Sequence, residues 1–287
     1  MISEFIMLYP ITAYIFLGVF SLTIGSLLNV IIYRLPLMLQ AEWTTQCRDL
    51  LALPADEPPA EINLFFPRSF CPGCKNMIPF WHNLPIISYC ILRGRCHKCH
   101  QSIPFRYILI EGLCLGLSLL AAYYFGFTLS LVFALLFIWS LICLFAIDLQ
   151  HQLLPDNITI SLVWLGLIAN TQTLFTTLPD AVLSAAGAYL LLWLFIKIYY
   201  GLTGKIGMGN GDFKLFAAFG AWFGWTQLPL ILLVSSISGA ITGILYLRNT
   251  KQTKETPIPF GPFLCIAGLI SLFYGKAILR WYLGLYA

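Results

Sequence analysis

Charge is what this sequence has least of. Only 10% of its 287 residues are Asp, Glu, Lys or Arg, 59% are hydrophobic, and the mean hydropathy is +0.84. No soluble domain needs so much apolar surface, so a polytopic membrane protein is expected. The formal net charge of +4 is small and dispersed, which argues against a nucleic-acid partner. No basic residue precedes the first apolar run, at about 11–33; Glu4 is the one charged side chain there. A cleaved signal needs a basic leading segment, so this run reads as a retained span. The chain also lacks a Gly-Lys-Ser/Thr after its glycine-rich stretch near residue 210, which excludes a Walker-type phosphate loop. No long internal repeat is present.

What the chain has instead is a series of apolar runs. They fall at about 11–33, 107–125, 129–147, 157–170, 181–200, 215–228, 229–247 and 259–279. At about 20 residues per crossing, they predict an all-α fold with about eight transmembrane helices. The runs at 157–170 and 215–228 are short; they tilt little and borrow flanking residues, or cross only in part. Three segments are expected: a first transmembrane helix over 1–35, a polar insert over 36–104, and a membrane core over 105–287. The first half of the insert, Leu37 to Phe66, contains a proline-rich stretch at residues 54–59 and reads as irregular.

Basic residues gather on alternate connections. Arg34 to Arg106 lie in or beside the insert, Lys197, Lys205 and Lys214 bracket the glycine loop, and Arg248, Lys251 and Lys254 follow the seventh run. The positive-inside rule places these three regions in the cytoplasm. Lys276 and Arg280 run against it, since eight spans leave them outside.

Nine cysteines are present, an odd number. Cys71-Pro72-Gly73-Cys74 and Cys96-His97-Lys98-Cys99 form two C-x-x-C turns separated by 21 residues. Each turn points two sulfurs at one place, and four thiolates close a tetrahedron around Zn²⁺, with no position left for water. The expected role is structural, and with little apolar sequence of its own the insert needs the metal to fold. Disulfides are the alternative, disfavoured in a cytoplasmic insert. His97 and His100 are the other possible ligands, read more simply as polar turn residues. Cys114, Cys143 and Cys265 lie in apolar runs and read as packing residues; Cys47 and Cys90 have no obvious partner.

Two acids stand out against the apolar background. Gly207, Gly209 and Gly211 alternate ahead of Asp212, where the next apolar helix begins. Alternating glycines allow positive φ and close approach of another backbone, so an extended peptide could lie there. The plain alternative makes Asp212 a helix cap. Asp148 ends the third run, where the helix dipole disfavours an anion, and an acid so placed at a membrane edge is a functional candidate. Both acids fall on one membrane face. Two nearby carboxylates cannot both ionise easily; one keeps a proton while the other draws a proton from water, and the pair titrates as a unit. That is the chemistry of an aspartic hydrolase. Asp156 suits the N-cap of the fourth helix, and Asp180, after Pro179, starts a helix on the opposite side. Glu111 is left as a buried partner for a basic residue, and His151 as a solvent-facing residue. Lys214 either orients an oxygen at the Asp212 site or snorkels.

The motifs resemble those of the bacterial type IV prepilin peptidases, the bifunctional leader peptidase/N-methyltransferase family, nearly end to end. Gly25 to Pro36 is similar to the family's first-span signature. Arg68 to Cys74, Arg93 to Cys99, Arg106-Tyr107 and Glu111-Gly112 resemble its zinc insert. Asp148 with Leu153-Leu154-Pro155-Asp156, and Gly209 to Leu215, resemble its two aspartate motifs. The resemblance implies an aspartic protease of the bacterial inner membrane that cuts the basic leader of type IV prepilins and type II secretion pseudopilins. It also implies methylation of the new N-terminus from S-adenosylmethionine. Asp148 and Asp212 would be the catalytic pair, and Cys71, Cys74, Cys96 and Cys99 the zinc ligands. Gly94 is where the resemblance points for the methyl donor, whose site the residues do not otherwise mark.

Two rival readings remain at this level. A proton-coupled transporter would use Asp148 and Asp212 as relay groups, but relay acids usually lie near midplane on interrupted helices. A zinc-bearing membrane scaffold would recruit a partner through residues 37–104 and leaves the glycine loop unexplained.

Overall fold

Long apolar runs can satisfy their backbone in lipid only as helices, and helices are what form. The computed structural model describes residues 10–53, 63–66, 68–71, 73–79, 81, 84–205, 207–250 and 259–284. Its helices are α1 (Pro10–Leu50), α2 (Ile87–Ile91), α3 (Arg106–Phe125), α4 (Leu129–His151), α5 (Asp156–Thr171), α6 (Leu178–Thr203), α7 (Asn210–Phe223), α8 (Leu228–Thr250) and α9 (Gly261–Gly284). Among the described residues there is no named strand, only the isolated bridges Phe70–Met77 and Arg95–Ser102. Each of the eight apolar runs falls on one of the longer helices. Six are long and apolar enough to cross a membrane: α1, α3, α4, α6, α8 and α9. This makes the chain a multi-pass membrane protein.

The expected irregular segment after Pro36 is a correction. α1 continues through Pro36 to Leu50, 41 residues in all. A proline inside a helix removes one i→i−4 bond, here the one to Ile32, and the residues beyond it are mostly strong helix formers such as Leu, Met, Gln, Ala and Glu. At 1.5 Å per residue α1 is about 60 Å long, twice the ~30 Å hydrocarbon core. The proline-rich part of the insert, residues 54–59, lies outside the described residues, as do Lys251 and Lys254.

The chain divides into two compact units, Met1–Tyr123 and Tyr124–Ala287. In the first, α1 and α3 run antiparallel and close. A Cβ on Gly25 would stand 2.9 Å from the Glu111 Cα, and Asn29 Nδ2 donates to the Tyr107 carbonyl at 3.1 Å. Buried Arg34 donates to the carbonyls of Asn63 and Leu64, holding that segment against α1.

In the second unit the other helices surround α7. It has 14 residues, about 21 Å, too short to span. Every residue from Leu215 to Phe223 is buried. A helix apolar all round belongs inside a protein rather than against lipid. α5 runs parallel to it: Asn170 Nδ2 donates to the Ala221 carbonyl at 2.8 Å, and Trp222 Nε1 to the Leu162 carbonyl at 2.8 Å. α6 runs antiparallel, with Ser184 Oγ donating to the Gly220 carbonyl at 2.8 Å. α9 begins beside the end of α4 and passes Leu141 and Phe219 at Gly268. The starts of α5, α7 and α9 therefore gather with the end of α4.

A candidate aspartate pair and a four-cysteine centre

The gathering of helix starts is where the two acids sit. Asp148 lies one turn before the end of α4, where Gln152 takes a left-handed φ of 51° and returns its N–H to the Asp148 carbonyl. Asp212 lies in the first turn of α7 and accepts from the Gly209 N–H at 3.2 Å. Both carboxylates are buried, at 5% and 7% exposure. They are near enough to interact electrostatically, and both also act on Cys265, one turn into α9. The structure thus brings together the two acids singled out in the sequence.

α9 supplies a part of the site that sequence reasoning missed. The backbone at Gly261, the first residue of α9, lies against the Asp148 carboxylate. A Cβ on Gly261 would stand 2.5 Å from Asp148 Oδ2 and 3.2 Å from Leu154 Cδ1. The end of α4 is unfavourable for an anion, and the positive start of α9 offsets it. The signal available was Gly261-Pro262 opening an apolar run, since Pro favours the first turn of a helix. Cys265, read as a packing residue, is buried as expected and lies within electrostatic reach of both acids.

Several expectations change here. Gly207, Gly209 and Gly211 do not use positive φ; Gly209 has φ −76° and ψ 154°. Their role is close approach. A Cβ on Gly211 would stand 2.7 Å from the Leu154 Cβ, so the α4–α5 turn packs directly on the start of α7. Asp156 is not an N-cap. Pro155 occupies that position, and Asp156 opens α5 with its carboxylate on Lys214 Nζ, at 2.6 and 2.7 Å. Lys214 Nζ is thus held by Asp156 rather than by Asp212. Asp180 does stand at a helix start, where its carboxylate accepts from Thr177 Oγ1 at 2.8 Å. His151 is exposed. In the first unit, Glu111 is buried, but its partner is the Ile86 N–H at 2.8 Å rather than a basic side chain. That bond holds a β-branched residue at φ 58°, a strained conformation.

The four cysteines also meet. The sulfurs of Cys71, Cys74, Cys96 and Cys99 all lie within 4.8 Å of one another, and Cys71 and Cys99 are 3.7 Å apart. A tetrahedron of sulfurs about 2.3 Å from zinc has edges of about 3.8 Å, so the set fits that ion. All four are free thiols. The two turns repeat one geometry. Lys75 N–H returns to the Cys71 carbonyl and His100 N–H to the Cys96 carbonyl, with φ of 56° and 55° at Lys75 and His100. His97 and His100 are outside the cluster. The N–H groups of Cys99 and Lys98 pull the Cys96 thiol down from 9.0 to about 6. Cys99, despite the Gln101 N–H, is held up at about 11 by desolvation and the neighbouring sulfurs. Gly94 turns with φ 68° against the Tyr89 ring.

These features define a helical membrane protein with a buried carboxylate pair and a four-cysteine centre. Residues 135–244 match the Type IV leader peptidase family, and residues 19–125 match the Bacterial Peptidase A24 N-terminal domain. The chain is 56% identical over 284 residues to the prepilin leader peptidase/N-methyltransferase of Legionella pneumophila, covering 99% of both chains. It is 46% identical over 280 residues to that of Stutzerimonas stutzeri, covering 98% of this chain and 97% of the relative. With that of Pseudomonas aeruginosa it shares 46% over 263 residues, 92% of this chain and 91% of the relative. No solved structure matches. The chain belongs to the type IV leader peptidase family. Nothing in these comparisons favours a transporter.

Proposed function

We propose that this protein is an inner-membrane aspartic endopeptidase. It removes the leader from type IV prepilins and type II secretion pseudopilins, then methylates the new N-terminus from S-adenosylmethionine. The observation that carries the reading is that Asp148 and Asp212 are both buried, on two different helices, within electrostatic reach of each other, in a chain of this family. One carboxylate, ionised, takes a proton from a water lying between them as that water attacks the scissile carbonyl. The other, protonated, donates to the carbonyl oxygen. When the tetrahedral intermediate collapses, a proton passes to the leaving amine and the pair is ready again. The Gly209 N–H orients Asp212, and the start of α9 at Gly261 packs against Asp148. The relatives' names include N-methyltransferase, which supports the second step.

Cys71, Cys74, Cys96 and Cys99 hold a structural Zn²⁺ with no open coordination position. The domain reading remains a first span, an insert whose opening residues prolong α1 as helix, and a peptidase core from residue 105. The basic connections favour an insert and an acid pair that face the cytoplasm. Mass spectrometry tests the function directly. A purified prepilin incubated with the protein and S-adenosylmethionine should lose its leader and gain one methyl group. An unchanged precursor would refute the peptidase reading; cleavage without methyl gain would refute only the second activity.

A further inference from the structure

The Asp156–Lys214 ion pair has no role in the chemistry above, yet it joins the two segments that carry the acids. Asp156 opens α5 after the short turn that follows α4, one turn beyond Asp148. Lys214 lies two residues past Asp212 in the first turns of α7. Lys214 Nζ donates to both carboxylate oxygens of Asp156, at 2.6 and 2.7 Å. Between them Gly211 packs against Leu154 with no room for a Cβ. At the far ends of the same two helices Asn170 donates to the Ala221 and Trp222 carbonyls, at 2.8 and 3.2 Å. The parallel pair α5–α7 is thus fastened at both ends, and the ionic fastening is the one beside the acids.

Stability does not explain the ion pair. The side chains are 28% and 55% exposed, and such a pair contributes about 0–1 kcal/mol. Geometry does. A displacement of about 1 Å at a reacting group costs about 100-fold in rate. A slip of α7 against α5 would move Asp212 relative to Asp148, which is tied through α4 and the following turn to Asp156. We propose that Asp156 and Lys214 are positioning residues: their ion pair fixes the register of α7 against the α4–α5 turn, and so the spacing of the two carboxylates.

The inference rests on the peptidase reading, and the experiment separates the two. Full-length protein in detergent is assayed on a prepilin precursor as wild type, Asp156→Asn, Lys214→Met, Lys214→Arg and the exchange Asp156→Lys with Lys214→Asp. Asp212→Asn is the control. Thermal unfolding reports the fold. Each neutral variant should lower kcat by about 10- to 100-fold at nearly unchanged KM and unfolding temperature. Lys214→Arg, which can still grip a carboxylate with two N–H groups, should keep most of kcat. The exchange should recover at least part of what the single variants lose. Wild-type kcat in either neutral variant overturns the proposal. So does a loss in Lys214→Arg as deep as in Lys214→Met, or a loss in Lys214→Met without one in Asp156→Asn. Should the neutral variants fail to fold, a folded exchange variant no faster than Asp212→Asn overturns it as well. An active Asp212→Asn control removes the catalytic pair itself; an inactive control beside fully active clasp variants removes only the clasp.

Discussion

Gly261 shows how much one missing methyl group can matter. Its backbone lies against the Asp148 carboxylate, and a Cβ there would overlap Oδ2 at 2.5 Å. Gly261→Ala should therefore lower kcat by about 100-fold while the protein still folds, as read from cleavage kinetics and circular dichroism. Asp148 and Asp212 were legible in the sequence because an acid beside an apolar run is costly and needs a reason. The four cysteines were legible from spacing. Gly261 was not, because its role depends on a carboxylate carried by a distant helix. The Asp156–Lys214 pairing was hidden in the same way, since spacing within one helix says nothing of what a neighbouring helix brings.

At the scale of elements, the apolar runs located the helices but not their ends or their surroundings. α1 runs through Pro36 because good helix formers follow it and offset the lost hydrogen bond. α7 looked like a short span; it is a buried central helix, and hydropathy alone cannot distinguish a lipid-facing surface from a protein-facing one. Glycines carry that missing information through packing. A Cβ on Gly220 would stand 2.6 Å from the Ser184 carbonyl oxygen and 2.8 Å from the Ala185 nitrogen, both backbone atoms. Gly220→Ala should destabilise the protein by about 1–3 kcal/mol. In α3, Gly112 has nothing within 4 Å of the same position, so Gly112→Ala should be neutral or slightly stabilising. Denaturation midpoints of the two variants check the contrast.

For the whole molecule, the cysteine centre and the acid pair make separable claims. Purified protein should carry one zinc per chain by elemental analysis, and Asp148→Asn and Asp212→Asn should leave that content unchanged. Cys74→Ser should lose the metal. The central claim is that Asp148 and Asp212 act as one unit on a peptide bond. Cleavage rate of a prepilin precursor by wild type, Asp148→Asn, Asp212→Asn and the double variant tests it most directly. Members of one catalytic unit are strongly non-additive, so each single variant should lose at least about 1,000-fold and the double variant little more. Near-normal cleavage by either single variant, or losses that multiply in the double, would contradict it.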